Sequence, residues 1–220
     1  MKNLVDLHYG QSFRHAAATP LSSLLISLEL AQEHKQAAKI PYVQQALDNA
    51  YRLQELFKKP QLLGSKKSFF ITPFLKESLR LIKHHHPQVI INTHLNFPQK
   101  SQLHGSRFYF QEAILCTLKN SIESYAPLEK KQNRVILVVG KITQDKLHLS
   151  FTDGGIGLNW LERSLVFADG YTNKDRGSGV GLTWVKKVIE QHFNGQINLR
   201  SKKNQGTTMT WQLPLVQVRQ

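Results

Sequence analysis

The stretch that decides the fold runs from Phe151 to Leu182 and holds two glycine clusters, Asp153-Gly154-Gly155-Ile156-Gly157 and Gly177-Ser178-Gly179-Val180-Gly181-Leu182. The first cluster follows an apolar alternating run that predicts a strand. The second opens an amphipathic segment that predicts a helix. Such glycines let backbone N–H groups approach an anionic ligand, and a helix N-terminus adds partial positive charge there. Glycine clusters are usually turns, and the second cluster taken alone is as compatible with a plain turn into a helix as with a phosphate site.

Further motifs stand in a definite order around this stretch. Asn120 lies in a helical run, 107–125, and Gly206-Thr207-Thr208 precedes a final strand. With these motifs the chain resembles the ATP-binding domain of the GHKL superfamily, specifically that of sensor histidine kinases. The resemblance covers nearly the whole chain, because the segment 13–20 is similar to the family's phosphoacceptor motif.

The resemblance implies a site for ATP and Mg²⁺ built from the N, G1, F and G2 boxes of the family. Phe167 and Tyr171 lie in the F box, where they would anchor a lid over the nucleotide or belong to the core. The implied nucleotide-binding residues are Asn120, Asp153, Gly155, Gly157, Thr172, Lys174, Gly177, Gly179, Gly181, Leu182 and Thr207.

Each polar residue of this set has a chemical role that suits its side chain. The carboxylate of Asp153 can accept a hydrogen bond from the adenine amino group, or it can cap a turn. Asn120 offers a neutral oxygen for a Mg²⁺ ion held mainly by phosphates, or it is a helix-surface amide. Lys174 and Arg176 lie in the predicted lid, 168–176, where they contact the γ-phosphate or are merely solvated.

The resemblance also implies two catalytic residues near the N-terminus. His15 matches the phosphoacceptor histidine, whose imidazole attacks the γ-phosphoryl group and passes it to a receiver aspartate. Thr19 lies one helical turn further on the same face. In the family this position orients water for dephosphorylation of the receiver.

Three positions depart from the family pattern. Ala16 stands where an acidic residue usually follows the histidine, which predicts slow autophosphorylation. Cys116 stands where the family often has a second asparagine, and Glu123 where it often has a basic residue. Cys116, the single cysteine, is also predicted to be a core thiol on a buried helix face.

Composition narrows the range of partners. The chain has 220 residues and a net charge of +14, most of it after residue 60. This charge suits a nucleotide and an acidic response regulator, whereas nucleic-acid binding would rest on charge alone. No apolar run approaches the ~20 residues of a membrane span, so we expect a cytoplasmic protein without one.

The predicted fold class is α+β. Residues 1–60 read as a helical hairpin, 61–68 as a linker and 69–220 as the GHKL α/β sandwich, a mixed sheet with helices on one face. Since two helices alone bury their apolar stripes poorly, the hairpin is expected to form a dimeric four-helix bundle, although it could also pack on its own C-terminal domain. The predicted sandwich elements are strands 69–72, 89–95, 134–139, 146–152, 196–201 and 207–213 and helices 73–86, 107–125, 158–166 and 180–192.

Several functions fit these patterns. The first is a histidine kinase core that exchanges phosphate with a response-regulator receiver and receives its signal from a separate sensor protein, unless the chain is a fragment. The second is a phosphotransfer or phosphatase module with weak kinase activity. The third, a non-kinase GHKL ATPase of the chaperone or topoisomerase kind, is disfavoured because those enzymes carry a glutamate general base where Cys116 stands.

Overall fold

A computed structural model describes residues 66–125, 128, 133–168, 170–172 and 181–216. All of them lie in one unit of the chain, Lys66–Gln220. The predicted hairpin at 1–60, with its catalytic residues His15 and Thr19, lies outside the described residues. So do three predicted nucleotide-binding residues, Lys174, Gly177 and Gly179.

In the part of the chain that the structure describes, seven strands form two sheets. The strands are β1 (Lys67–Phe70), β2 (Val89–Asn96), β3 (Gln102–Gly105), β4 (Arg134–Thr143), β5 (Lys146–Asp153), β6 (Gln196–Ser201) and β7 (Thr207–Pro214). The larger sheet has five strands in the order β2-β4-β5-β7-β6, and β1 pairs with β3 in the smaller one. In the larger sheet β2 runs parallel to β4, and the other neighbours are antiparallel. The predicted mixed sheet is therefore confirmed.

The described helices are α1 (Ile71–His85), α2 (Arg107–Glu123), α3 (Trp160–Leu165) and α4 (Gly181–Lys187), and a π-helical turn, Val188–His192, follows α4 directly. Helix α2 is the centre of the helical layer, because residues on all its sides are buried. It packs against α1, α4 and strand β5.

The core lies between the helices and one face of the five-stranded sheet. Alternate residues of the central strands point to this face, as the period of two in a strand requires. The fully buried members include Ile136, Leu149, Phe151, Trp211 and Leu213. The side chains between them, such as Ser150 and Thr210, are only half-buried. This alternation fixes which side chains at the strand ends face the helices.

Helix α1 and strand β1 begin earlier than predicted. Helix α1 starts at Ile71, so Pro73 is its third residue and not its first. The residue before the helix, Phe70, makes no side-chain capping bond, so the boundary carried no capping signal. The short strand β3 was not predicted. It has only four residues, and Leu103 is its one large apolar side chain, buried together with Gly105.

Helix α3 is shorter than the predicted segment 158–166. Asn159 forms a capping box with Glu162, and this box fixes the helix start at Trp160. Leu158 is held outside the helix, because its N–H donates to the Ser201 hydroxyl at 2.8 Å.

None of the helices within the described segments is both long enough and apolar enough to cross a membrane.

Candidate nucleotide site

Asp153 lies at the end of β5, where two other elements meet it. Its Cα partner on β7 is Thr207, and its partner on β4 is Ile136. Carboxylate Oδ1 accepts hydrogen bonds from the Gly155 N–H at 3.0 Å and from the Ser124 hydroxyl at 3.1 Å. Because the residue is only 5% exposed, this carboxylate is held in one orientation at the end of the sheet.

Burial raises the pKa of the Asp153 carboxyl above its usual value. Donors around it, first the Gly155 N–H and then the Ser121 and Ser124 hydroxyls, oppose this shift because they stabilise the charged form. The net direction is upward, so desolvation outweighs these hydrogen bonds. A partly desolvated carboxylate of this kind is suited to accept from a ligand N–H group in place of water.

Asn120 lies on α2 with its amide oriented by the helix itself. Its Nδ2 donates to the backbone carbonyl of Cys116 at 2.8 Å and lies 3.6 Å from the Cys116 sulfur. With the nitrogen engaged in this way, Oδ1 is the atom of this side chain that suits an oxygen-seeking cation. The described part of the chain contains no group of three His, Cys, Asp or Glu side chains able to hold a metal.

The prediction that Cys116 is a core residue is wrong, because Cys116 is only partly buried. It lies where α2 meets the start of α4. A Cβ atom added to Gly181 would come within 3.1 Å of the Cys116 sulfur and 3.9 Å of Asn120 Nδ2. The absence of a side chain at Gly181 thus lets α4 begin close against α2.

One face of α2 therefore links the predicted motifs. Cys116, Asn120 and Ser124 recur at intervals of four residues, which places them in a row along the helix. Cys116 lies next to Gly181, and Ser124 contacts Asp153 and Gly155. Asn120 lies between them. Ser124 was not predicted as a site residue, although its spacing from Asn120 was a usable signal.

Two glycines of the Asp153 loop are required by close contacts. A Cβ at Gly155 would overlap the Ser124 hydroxyl and lie 2.9 Å from the Ser124 carbonyl carbon. Gly157 has φ +58, and its Cβ would overlap the carbonyl oxygen of Lys202. The loop is thereby pressed between the end of α2 and the β6–β7 turn.

Tyr125 also supports this loop, and sequence reasoning did not identify it. Its hydroxyl accepts from the Gly154 N–H at 2.6 Å and donates to the carbonyl of Val135 at 2.6 Å. The side chain is 3% exposed, and this burial raises the pKa of the phenol. The neutral hydroxyl therefore bridges the loop to β4.

The remaining predicted residues surround this centre. Thr207 is half-buried beside Asp153, and its hydroxyl lies 2.9 Å from that of Ser201. Leu182 is half-buried on α4, whereas Thr172 is exposed. The F-box residue Phe167 is tied to α4, because the Thr183 hydroxyl lies 3.2 Å from its carbonyl oxygen. Glu123 lies away from this row, 3.9 Å from Lys119.

The other end of α2 is fixed by a histidine. His192 Nε2 accepts a hydrogen bond from the backbone N–H of Ser106, the N-cap of α2, at 2.7 Å. Burial, aided by the positive charges of Lys66 and His104, lowers the pKa of His192 to about 4. The ring is therefore neutral at physiological pH, as an accepting nitrogen requires.

Comparisons with known proteins agree with this geometry. Residues 105–217 match the family described as "Histidine kinase-, DNA gyrase B-, and HSP90-like ATPase". Sporulation kinase B of Bacillus subtilis is 26% identical over 211 residues, which are 92% of this chain and 48% of that protein. The chain spans about half the length of the curated relatives it matches.

Two solved structures share the fold. The mycobacterial sensor histidine kinase MprB superposes with a TM-score of 0.59 at 23% identity, over 69% of this chain and 98% of that one. The histidine kinase ThkA in complex with the response regulator protein TrrA gives 0.57 at 14% identity, over 91% of this chain and 59% of that one. The chain therefore belongs to the histidine kinase-, DNA gyrase B- and HSP90-like ATPase family, and the matched segment is an ATP-binding domain of the kind found in sensor histidine kinases.

Proposed function

We propose that this chain is the core of a two-component histidine kinase. It binds Mg-ATP, transfers the γ-phosphoryl group to His15 and exchanges it with an aspartate of a response-regulator receiver. The observation that carries the proposal is the row Cys116, Asn120 and Ser124 on α2, which brings Gly181 and Asp153 to one side of the same helix.

In this site each group has one task. The Asp153 carboxylate accepts the adenine amino group, which distinguishes adenine from guanine. The Asn120 oxygen binds a Mg²⁺ ion that the phosphates hold on its other sides. Thr207 lies beside Asp153 at the adenine end, and Gly181 keeps α4 close to the phosphates. The predicted lid residues Lys174, Gly177 and Gly179 would complete the phosphate contacts.

The chemical step is phosphoryl transfer to an imidazole. The unprotonated nitrogen of His15 forms a bond to the γ-phosphorus, while the bond from phosphorus to the bridging oxygen of ADP breaks. The other imidazole nitrogen then releases its proton, which leaves a neutral phosphoimidazole ring. A receiver carboxylate can take the phosphoryl group in a second in-line transfer, which regenerates the histidine.

The relatives support the proposed partners. One solved relative is a histidine kinase in complex with a response regulator protein, so we propose a receiver domain as the phosphate acceptor here. We also propose a homodimer through the 1–60 hairpin, a signal that arrives through a separate sensor protein, and a cytoplasmic location.

A second function is favoured by Ala16. Without an acidic neighbour, His15 has no adjacent carboxylate to fix its tautomer and stabilise the developing positive charge. Thr19 does not depend on that neighbour. The chain would then act mainly in phosphotransfer or receiver dephosphorylation, with slow self-phosphorylation.

The first experiment is calorimetric titration of the full chain with Mg-ATP. Asp153→Ala should weaken binding by about 1–3 kcal/mol, since a buried hydrogen bond to the adenine is lost. A matched control is Asp145→Asn, because Asp145 is exposed and has φ 55, which asparagine tolerates. Equal ATP affinity in wild type and Asp153→Ala would remove the basis of the proposed function.

A further inference from the structure

A basic, open cavity adjoins the candidate nucleotide site at the end of β5 and β7, and Asp153 and Thr207 of that site also line it. Its volume is about 370 Å³, a size typical of sites for small ligands. Arg163, Arg200 and Lys202 line it, together with the hydroxyls of Thr152 and Thr208 and the amide of Gln205. These cations come from three different elements, helix α3, strand β6 and the β6–β7 turn.

The strand register separates this cavity from the groups that face the helices. Thr152 and Thr208 are Cα partners across β5 and β7, and Arg200 is the partner of Thr208 on β6. Each of these three residues is next in sequence to a member of the Asp153–Thr207 or Ser201–Thr207 pair. Because successive side chains of a strand point to opposite faces, all three lie on the face of the sheet that is turned away from the helices. Asp153 borders both sites, but its carboxylate is bound by Ser124 and Gly155.

The cations of the cavity are not ion-paired with carboxylates of the described residues. Among the described residues, neither Arg200 nor Lys202 has a carboxylate within ion-pairing distance. The nearest acidic residue on α3, Glu162, is engaged elsewhere, since it accepts from the Asn159 N–H at 2.8 Å and lies 3.9 Å from Lys203. The cavity therefore presents three cationic groups and several neutral polar groups to a ligand, beside one carboxylate, that of Asp153, which also lines it.

The frame that carries these cations is held by hydrogen bonds. Arg163 Nη1 donates to the Ser201 carbonyl at 3.3 Å, and the Ser201 hydroxyl accepts from the Leu158 N–H at 2.8 Å. The Asn204 N–H donates to the Ile156 carbonyl at 2.7 Å. The β6–β7 turn is thus fastened to the loop after β5, which limits the ordering that a ligand must impose.

We propose that this cavity is a second anion site, which binds a phosphate-class oxyanion. Guanidinium groups match the planar oxygen pairs of phosphate in a bidentate manner, and a lysine adds a point charge. The Thr152 and Thr208 hydroxyls are hydrogen-bonded to each other at 3.0 Å, which leaves one of their two protons to donate to a remaining oxygen. The anion is either a free phosphate compound or the headgroup of a phospholipid, because both present the same group.

The test uses the full chain at constant ionic strength, with pyrophosphate as the soluble probe. Arg200→Gln combined with Lys202→Gln should weaken pyrophosphate binding about tenfold or more, because two charge-assisted contacts are lost. Both side chains are exposed, so the variant should fold, and unchanged Mg-ATP affinity checks this. The matched control is Lys141→Gln with Lys146→Gln, two exposed lysines on β4 and β5 at the other end of the same sheet.

A second arm separates the two sources of phosphate. Vesicles of phosphatidylcholine with phosphatidic acid are compared with vesicles of phosphatidylcholine alone, for wild type and both variants. Loss of pyrophosphate binding in the cavity variant alone supports a site for free anions, and loss of binding to acidic vesicles in that variant alone supports a headgroup site. The proposal is overturned if the wild type binds neither probe, or if the cavity variant and the lysine control weaken binding equally.

The second anion site and the proposed kinase function can be tested independently of each other. Asp153→Ala should leave pyrophosphate binding in place while it weakens Mg-ATP binding. The Arg200 and Lys202 variant should do the reverse.

Discussion

The hydroxyl of Ser124 lies 3.1 Å from Oδ1 of Asp153 and joins the end of α2 to the end of β5. The same hydroxyl lies 2.7 Å from the carbonyl oxygen of Ser121, so its single proton serves two acceptors. The helix that carries Asn120 and the strand that carries the predicted adenine acceptor are therefore coupled through one side chain.

The pH dependence of ATP binding should reveal the raised pKa of Asp153. Protonation removes the acceptor that the adenine amino group needs, so affinity should fall on acidification, at a pH above the usual titration range of aspartate. Titration calorimetry of ATP from pH 8 downward measures this fall in affinity, which is the acid limb of the plot of affinity against pH. Asp153→Asn should bind more weakly at neutral pH and show no such limb, and an identical limb in that variant would assign the titration to another group.

The raised pKa of Asp153 also determines how its contribution to the free energy of unfolding changes with pH. Because the folded-state pKa of Asp153 is raised, its contribution to the free energy of unfolding is present at low pH, where the group is protonated in both states. It is lost as the pH rises from the usual aspartate value through the folded-state pKa.

Ser124→Ala should raise the pKa of Asp153 further, since it removes a donor that stabilises the carboxylate. The acid limb of ATP binding should move to higher pH, with several-fold weaker binding at the wild-type midpoint. Ser164→Ala is the control, because the Ser164 hydroxyl bonds only locally, to the Leu161 carbonyl in exposed α3. A shift to lower pH would contradict the role given to Ser124.

Gly157→Ala should destabilise the domain more than Gly170→Ala. Both glycines have positive φ, +58 and +77, so both substitutions carry backbone strain of about 1 kcal/mol. Only Gly157 also places the new methyl against a backbone carbonyl, that of Lys202, whereas a Cβ at Gly170 would meet none of the described residues within 4 Å. Thermal unfolding of both variants measures the difference, and equal losses would show that the contact with the β6–β7 turn is unimportant.

His192 should make stability depend on pH in a second window. Its folded-state pKa is lowered to about 4, so its contribution is complete above ~6.5, the ordinary histidine value. That contribution declines as the pH falls below this value and is gone once the pH passes through the folded-state pKa. Denaturant unfolding of wild type and His192→Gln between pH 7 and pH 4 tests this.

In the His192 experiment the glutamine oxygen can still accept from the Ser106 N–H, but it does not titrate. The slope of stability against pH should therefore flatten in His192→Gln. It should persist in His94→Gln, because His94 is exposed on β2. A flattened slope in both variants would argue against the buried ring as its source.

Ala16→Glu should accelerate labelling of His15 by ATP. A positioned carboxylate contributes about 10²–10⁴-fold in comparable acid–base roles. Ala17→Glu is the matched control, because it adds the same charge about 100° further round a helix. Fast labelling of the wild type with no gain in Ala16→Glu would mean that another group serves as the base.

The sequence was sufficient for the two strands that hold the site, although not for their order in the sheet. Strands β5 and β7 carry strict apolar alternation, so their inward faces and their ends at Asp153 and Thr207 followed from period alone. The glycine pattern placed Gly155 and Gly181 at the ends of a strand and a helix. That these glycines meet one face of α2 depends on tertiary packing, which no local pattern records.

The features that the sequence did not predict are either very short or leave no local pattern in the sequence. Strand β3 has four residues and is defined by its pairing with β1 and by a bridge from Leu103 to Leu215. Tyr125 gave no signal because its function depends on the position of Gly154, far along the chain. The basic cavity assembles residues from three elements, so scattered lysines and arginines looked like ordinary surface.

The π-helical turn after α4 has a consequence for how this domain tolerates change in length. In such a turn one additional residue is accommodated, and the Phe193 N–H bonds to the Val188 carbonyl at 3.1 Å. A one-residue insertion or deletion that left the wide turn in place would rotate everything beyond it by about 100°. Phe193 would then leave its ring contacts with Phe69 and Phe110, and His192 would lose Ser106. Natural variants of this segment should therefore exchange residues freely on its exposed side yet keep its length.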